Sequence, residues 1–170
     1  MTASEAETEA LGAALAGELA PDGVLLLSGE LGSGKTVLVR GLASALGVPP
    51  GEIQSPTYTL IREHDGRGRA GGEGEKDGRL IHVDLYRLEP EEAAELGLEE
   101  LLAGPGVKVI EWAERLGFEV PGALRLTLRR IPGLPEARER EILELSSPEG
   151  AEVGSLGRQP QEDADKKNQP

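Results

Sequence analysis

The chain of 170 residues contains no cysteine, so neither disulfides nor a thiolate metal site can contribute to its structure. No apolar run approaches the roughly 20 residues that a membrane helix needs. The opening Met1-Thr2-Ala3-Ser4-Glu5 lacks the basic start of a secretory leader. These absences predict a soluble, cytoplasmic protein with no membrane association. Basic residues are also scarce: 18 Lys and Arg stand against 31 Asp and Glu, for a net charge of −13. So acidic a surface repels a polyphosphate backbone and argues against general nucleic-acid binding by the chain alone. Arg125, Arg129, Arg130, Arg138 and Arg140 do gather in one region, but Glu136, Glu139 and Glu141 interleave with them. That pattern reads as a mixed, solvated face. The length suits one domain with a proper core.

What the chain does have is Gly29-Glu30-Leu31-Gly32-Ser33-Gly34-Lys35-Thr36, which fills the pattern G-x-x-x-x-G-K-[ST] at every fixed position. An apolar run, Val24 to Leu27, precedes it, and a helix-like stretch, Val37 to Leu46, follows. A chance glycine-rich turn would not need that strand and helix on either side. The chemistry does need them. Glycines let the backbone curl so that successive N–H groups, here around Gly32, Ser33 and Gly34, point at phosphate oxygens. The following helix presents its positive end to the same anion. Lys35 is expected to reach the β- and γ-phosphates, and the Thr36 hydroxyl to hold Mg²⁺. The motif predicts binding of a nucleoside triphosphate.

Elsewhere the pattern predicts alternating helices and strands. Ser4-Glu5-Ala6-Glu7 has capping-box spacing, and Leu11, Leu15 and Leu19 recur every four residues, predicting an amphipathic helix that ends near Pro21. Thr57 to Arg62 and Leu80 to Tyr86 read as strands. Between them, Asp65 to Gly78 carries six glycines (66, 68, 71, 72, 74 and 78) and reads as a mobile hairpin tip. Pro90 to Ala103 reads as one helix, and Val107 to Ile110 as a buried strand. Leu124 to Arg129 and Glu141 to Leu145 alternate as half-exposed antiparallel strands near a sheet edge. The folded domain is placed at residues 1–146. Residues 147–170, almost without apolar side chains, are expected to form a disordered tail.

A phosphate loop needs a carboxylate near Mg²⁺ or its water shell, projecting from a neighbouring strand end. Asp84, ending Ile81-His82-Val83-Asp84, and Glu111, following Val107 to Ile110, both qualify. The plainer readings are an Asp84–Arg87 pair and a Glu111 that starts a helix. Ser55-Pro56-Thr57 could bring a hydroxyl to the γ-phosphate, or it could be only a turn entering a strand. His82 shares a strand face with Asp84 and reads first as a buried, hydrogen-bonded histidine. His64 reads as solvated. Trp112, the single tryptophan, reads as core packing, with stacking near a nucleotide as the second possibility.

The phosphate loop, Ser55-Pro56-Thr57-Tyr58-Thr59-Leu60, His82-Val83-Asp84-Leu85-Tyr86-Arg87-Leu88 and Glu111-Trp112-Ala113-Glu114 together resemble one family. It is the bacterial tRNA threonylcarbamoyladenosine biosynthesis ATPase family, TsaE (YjeE), and the resemblance runs to about Leu145. The loop is common to many families, whereas the three other segments in this order are far more specific. The resemblance implies an α/β P-loop NTPase-type fold, with a mixed central sheet flanked by helices. It implies ATP and Mg²⁺ as ligands and weak ATP hydrolysis by the chain alone. It also implies work with TsaD and TsaB in modifying adenosine 37 of tRNA, with tRNA met only through that complex. By motif, Lys35 and Thr36 serve phosphate and Mg²⁺, Thr57 lies in a switch-like segment, and Asp84 and Glu111 are the Mg²⁺-side or catalytic carboxylates. Thr8 matches a position near the nucleotide. The 65–78 segment is longer and richer in glycine than is usual in the family. A small-molecule kinase of the shikimate-kinase type is the rival reading. Such chains open almost directly into the first strand and carry an arginine-bearing lid, and neither feature is evident here.

Overall fold

Val24-Leu25-Leu26-Leu27 form the middle of the molecule, because a strand apolar on both faces must be covered on both. They begin strand β1 (Val24–Gly29), and all four are buried. The computed structural model describes residues 4–68, 78–130 and 140–146, and for the last of these segments only the backbone. Six strands form one sheet in the order β2-β3-β4-β1-β5-β6, with β2 (Ile61–Asp65), β3 (Arg79–Asp84), β4 (Val107–Glu111), β5 (Leu124–Arg130) and β6 (Arg140–Ser146). The inner four strands run parallel, and the two edge strands run antiparallel to their neighbours.

Alternation along β1 divides the core. Leu25 and Leu27 face one side, where they join Leu15, Leu38, Leu42 and Leu46 from helices α1 (Glu5–Glu18) and α2 (Lys35–Ala45) and the residue just after α2. Leu26 faces the other side with Val83, Leu85, Leu98 and Ile110, beneath the short helices α3 (Pro90–Ala94) and α4 (Leu98–Ala103). The first helix starts as expected: the Ser4 hydroxyl accepts from the Glu7 amide at 3.1 Å. It lies close against α2, since a Cβ on Gly12 or Gly41 would strike backbone of the opposite helix.

The structure bears out the α/β fold with a mixed sheet and helices on both faces, and it adjusts several local readings. Thr57 to Leu60 is a turn, closed by the Leu60 amide on the Pro56 carbonyl at 2.6 Å, so the strand starts only at Ile61. The expected helix from Pro90 to Ala103 is two, separated at Gly97, whose φ of 65° no helix accommodates. β5 is not simply an edge strand: it pairs parallel with β1 on one side and antiparallel with β6 on the other. Most of the 65–78 tip and the proposed tail lie outside the described residues. Among the described residues no helix is long and apolar enough to cross a membrane.

The consequence for function is positional. β1, β3 and β4 are parallel neighbours, and their carboxyl ends carry Gly29, Asp84 and Glu111, with Leu27 and Asp84 both in register with Glu111. In open parallel sheets, ligands bind beyond these carboxyl ends.

Candidate functional site

After β1 the chain turns sharply, with positive φ at Gly29 (133°), Gly32 (72°) and Gly34 (100°). These values exclude ordinary side chains, and a Cβ on Gly29 would also collide with the Leu128 carbonyl of β5. The loop therefore curls against the sheet end, and α2 begins directly from it at Lys35. Beside it lies a cleft of about 450 Å³, whose walls include Lys35, Thr36, Thr57, Asp84, Glu111 and Trp112.

Lys35 is almost wholly buried. Its Nζ donates to the carbonyls of Gly29 (2.6 Å) and Glu30 (3.0 Å) and lies 4.0 Å from the centre of the Trp112 ring. Burial pushes its pKa below the ordinary value of 10.5, against the opposing pull of Glu111, Glu114 and Asp84. The Thr36 hydroxyl donates to the Glu111 carboxylate, 2.9 Å from Oε1 and 3.2 Å from Oε2. Glu111 Oε1 is also 2.9 Å from His82 Nε2. Asp84 Oδ2 accepts from the hydroxyls of Ser55 (2.5 Å) and Thr57 (2.8 Å), and Oδ1 accepts from the Tyr86 amide at 2.9 Å.

Both carboxylates thus avoid their plainer roles. Arg87 does not pair with Asp84 but stands 4.1 Å from the Tyr58 ring centre. Glu111 is buried and tied to Thr36 and His82, ahead of a single 3-10 turn at Ala113–Arg115. His82 is fully buried and hydrogen-bonded, in agreement with the simpler expectation for it. His64 departs from its reading as solvated: it is buried, and desolvation first, then nearby His82, lowers its pKa. Trp112 packs at the edge of the second core, as its first reading expects, and it also lines the cleft.

Two residues expected near the nucleotide stand apart from the cleft, which their spacing did not foretell. Thr8 is buried in α1 with its hydroxyl on the Ser4 carbonyl at 3.0 Å, and it does not line the cleft; Glu5, nearly one turn earlier, does. Ser33 is also buried away from the lining, its amide donating to the Glu30 carbonyl at 3.1 Å. The remaining site residues, Gly32, Gly34, Lys35, Thr36, Thr57, Asp84 and Glu111, all border the cleft. The amino-acid pattern did not single out Tyr86, whose ring centre lies 4.8 Å from that of Trp112, or Arg130, which donates to the Gly32 carbonyl at 3.1 Å. Nor did it point to positive φ at the non-glycine residues Leu60 (63°) and Trp112 (59°). The only trace of Tyr86 in the sequence is its place in the segment His82-Val83-Asp84-Leu85-Tyr86-Arg87-Leu88. Backbone strain of this kind concentrates at functional sites.

A curled glycine loop beside a buried lysine, with two carboxylates and two hydroxyls opposite, suits a phosphate with a hard cation. With the parallel strands behind it, this is the architecture of a P-loop NTPase-type nucleotide-binding protein. The profile of one family, described as threonylcarbamoyl adenosine biosynthesis protein TsaE, matches residues 2–140, and the chain belongs to that family. It is 42% identical over 123 residues to the tRNA threonylcarbamoyladenosine biosynthesis protein TsaE of Nostoc sp., spanning 69% of this chain and 68% of that one. To the Bacillus subtilis protein of the same name it is 36% identical over 132 residues, 76% of this chain and 75% of that one. In structure it is similar to Bacillus subtilis YdiB, with a TM-score of 0.58 and 32% identity over 83% of this chain and 79% of that one.

Proposed function

We propose that this protein is a Mg²⁺-dependent ATPase of the cytoplasm that serves tRNA N6-threonylcarbamoyladenosine formation. It acts with proteins of the TsaD and TsaB type and meets tRNA only through them. One observation carries the enzymatic part: Lys35 and Thr36, with Asp84 and Glu111 from two distant segments, border a single cleft beyond the parallel strand ends. The names of the relatives support the pathway.

In this reading backbone amides of the loop around Gly32 and Gly34 and the Lys35 ammonium bind the phosphates of ATP. Thr36 and Glu111, with Asp84, supply the hard oxygen donors that suit Mg²⁺, which when bound neutralises charge on the β- and γ-phosphates. Water attacks the γ-phosphorus, a new P–O bond forms as the bond to the β-phosphate oxygen breaks, and ADP leaves. Asp84 and Glu111, the strand-end carboxylates that border the cleft, would orient that water and take its proton. Thr57, held by Asp84, sits where a γ-phosphate could reorganise the Ser55–Leu60 segment.

The test is phosphate release from ATP and Mg²⁺ without an acceptor, repeated with small hydroxy acids. Release without acceptor supports the ATPase. Transfer to a hydroxy acid in place of release would restore the small-molecule kinase.

A further inference from the structure

β3 is apolar at Leu80, Ile81 and Val83, so the fully buried His82 breaks an otherwise hydrophobic strand. Its position accounts for it. His82 pairs in register with Val109, two residues before Glu111, so its ring leans along the sheet toward the carboxylate. A carboxylate accepts only, so His82 donates from Nε2, at 2.9 Å from Oε1. Its Nδ1 is buried with no partner among the described residues. Leaving a buried polar atom unpaired is unfavourable, and an apolar side chain here would avoid it.

We propose that His82 is a positioning residue for Glu111, a role resting on the function proposed above. The Glu111 carboxylate is buried, and only two side chains, Thr36 and His82, donate to it among the described residues. The Thr36 hydroxyl is also the group that serves the cation, so its geometry changes with occupancy. His82 lies in the sheet and does not line the cleft, so it can hold Glu111 without itself touching the ligand. It pins Oε1. Oε2, which accepts only the longer Thr36 contact, keeps the spare capacity for the cation or its water. Outer partners of this kind typically contribute about 10- to 100-fold to metal affinity or activity.

The experiment is binding of a fluorescent N-methylanthraniloyl-ADP to wild type, His82→Leu and His82→Gln, each in Mg²⁺ and in EDTA. His82→Leu should cut the Mg²⁺-dependent gain in affinity about ten-fold, leaving affinity in EDTA near wild type. His82→Gln, with an amide donor near the Nε2 position, should restore most of the gain. A full gain in His82→Leu, or equal losses with and without Mg²⁺, overturns the role. If His82→Leu does not fold, His82→Asn, too short to reach Glu111, replaces it: Gln should keep the gain and Asn lose it, and equal gains overturn the role. A wild-type protein with no Mg²⁺-dependent gain overturns the proposed function and this role together; failure confined to the variants overturns the role alone.

Discussion

Lys35 Nζ sits 4.0 Å from the centre of the Trp112 ring while it donates to the carbonyls of Gly29 and Glu30. The ammonium has a third N–H to give to a phosphate, and an anion bound there would change the field at the ring beside it, the only tryptophan in the chain. Nucleotide binding should therefore change tryptophan emission in the wild type. Lys35→Ala should abolish that change and weaken ATP binding by about ten-fold or more, as expected for losing a hydrogen bond to a charged group. Calorimetric titration beside the fluorescence titration checks both. Unchanged affinity in a folded Lys35→Ala would remove Lys35 from the phosphate site.

Asp84 holds Ser55 and Thr57 through one carboxylate oxygen. Asp84→Ala should lower ATP turnover at least about ten-fold and also loosen residues 55–60, because both hydroxyls lose the carboxylate that ties them to the end of β3. Amide hydrogen exchange across that segment reads the second effect. Faster exchange with normal turnover would leave Asp84 as a tether only.

Gly29 and Gly51 offer a matched pair. Gly29→Ala places a side chain at a φ of 133° and against the Leu128 carbonyl, whereas nothing lies within 4 Å of a Cβ at Gly51. The first change should destabilise by about 1–3 kcal/mol, and the second by less than about 0.5 kcal/mol. Denaturant unfolding of both variants decides it; equal stabilities would mean the loop relaxes freely.

Lys108, at the other end of β4, is fully buried and donates to the Gly104 carbonyl and, at 3.3 Å, to that of Asp22. Desolvation lowers its pKa from 10.5, with Asp22 opposing and Arg79 assisting. Between the lowered folded value and 10.5 the unfolded chain binds more protons, so stability rises with pH across that window. It is lost as pH falls through the folded value. The stability of wild type relative to Lys108→Met should therefore grow from neutral pH toward pH 10.5. A difference flat with pH would show that burial does not disfavour this charge.

The loop, the helix after it and the two strand-end carboxylates were legible because each sits where an apolar run stops. Asp84 and Glu111 follow such runs, and parallel pairing then brings them side by side. The Thr57–Leu60 turn was not legible. Its Thr-Tyr-Thr content favours a strand, but the bonds from Ser55 and Thr57 to Asp84 fix it otherwise, and their partner is 27 or more residues away. Positive φ at Leu60 and Trp112 leaves no mark on composition, since neither is a residue that favours it. The withdrawal of Thr8 and Ser33 from the cleft is likewise set by packing, which motif spacing does not encode.

On the proposed function, the cleft turns over ATP and partners of the TsaD and TsaB type govern that turnover. Phosphate release by wild type and Glu111→Ala, each alone and with the TsaD–TsaB pair, tests it most directly. Wild type alone should release phosphate slowly and faster with the pair, and Glu111→Ala should stay near background in both settings. Equal release by wild type and a folded Glu111→Ala, or a wild-type rate indifferent to the pair, would contradict it.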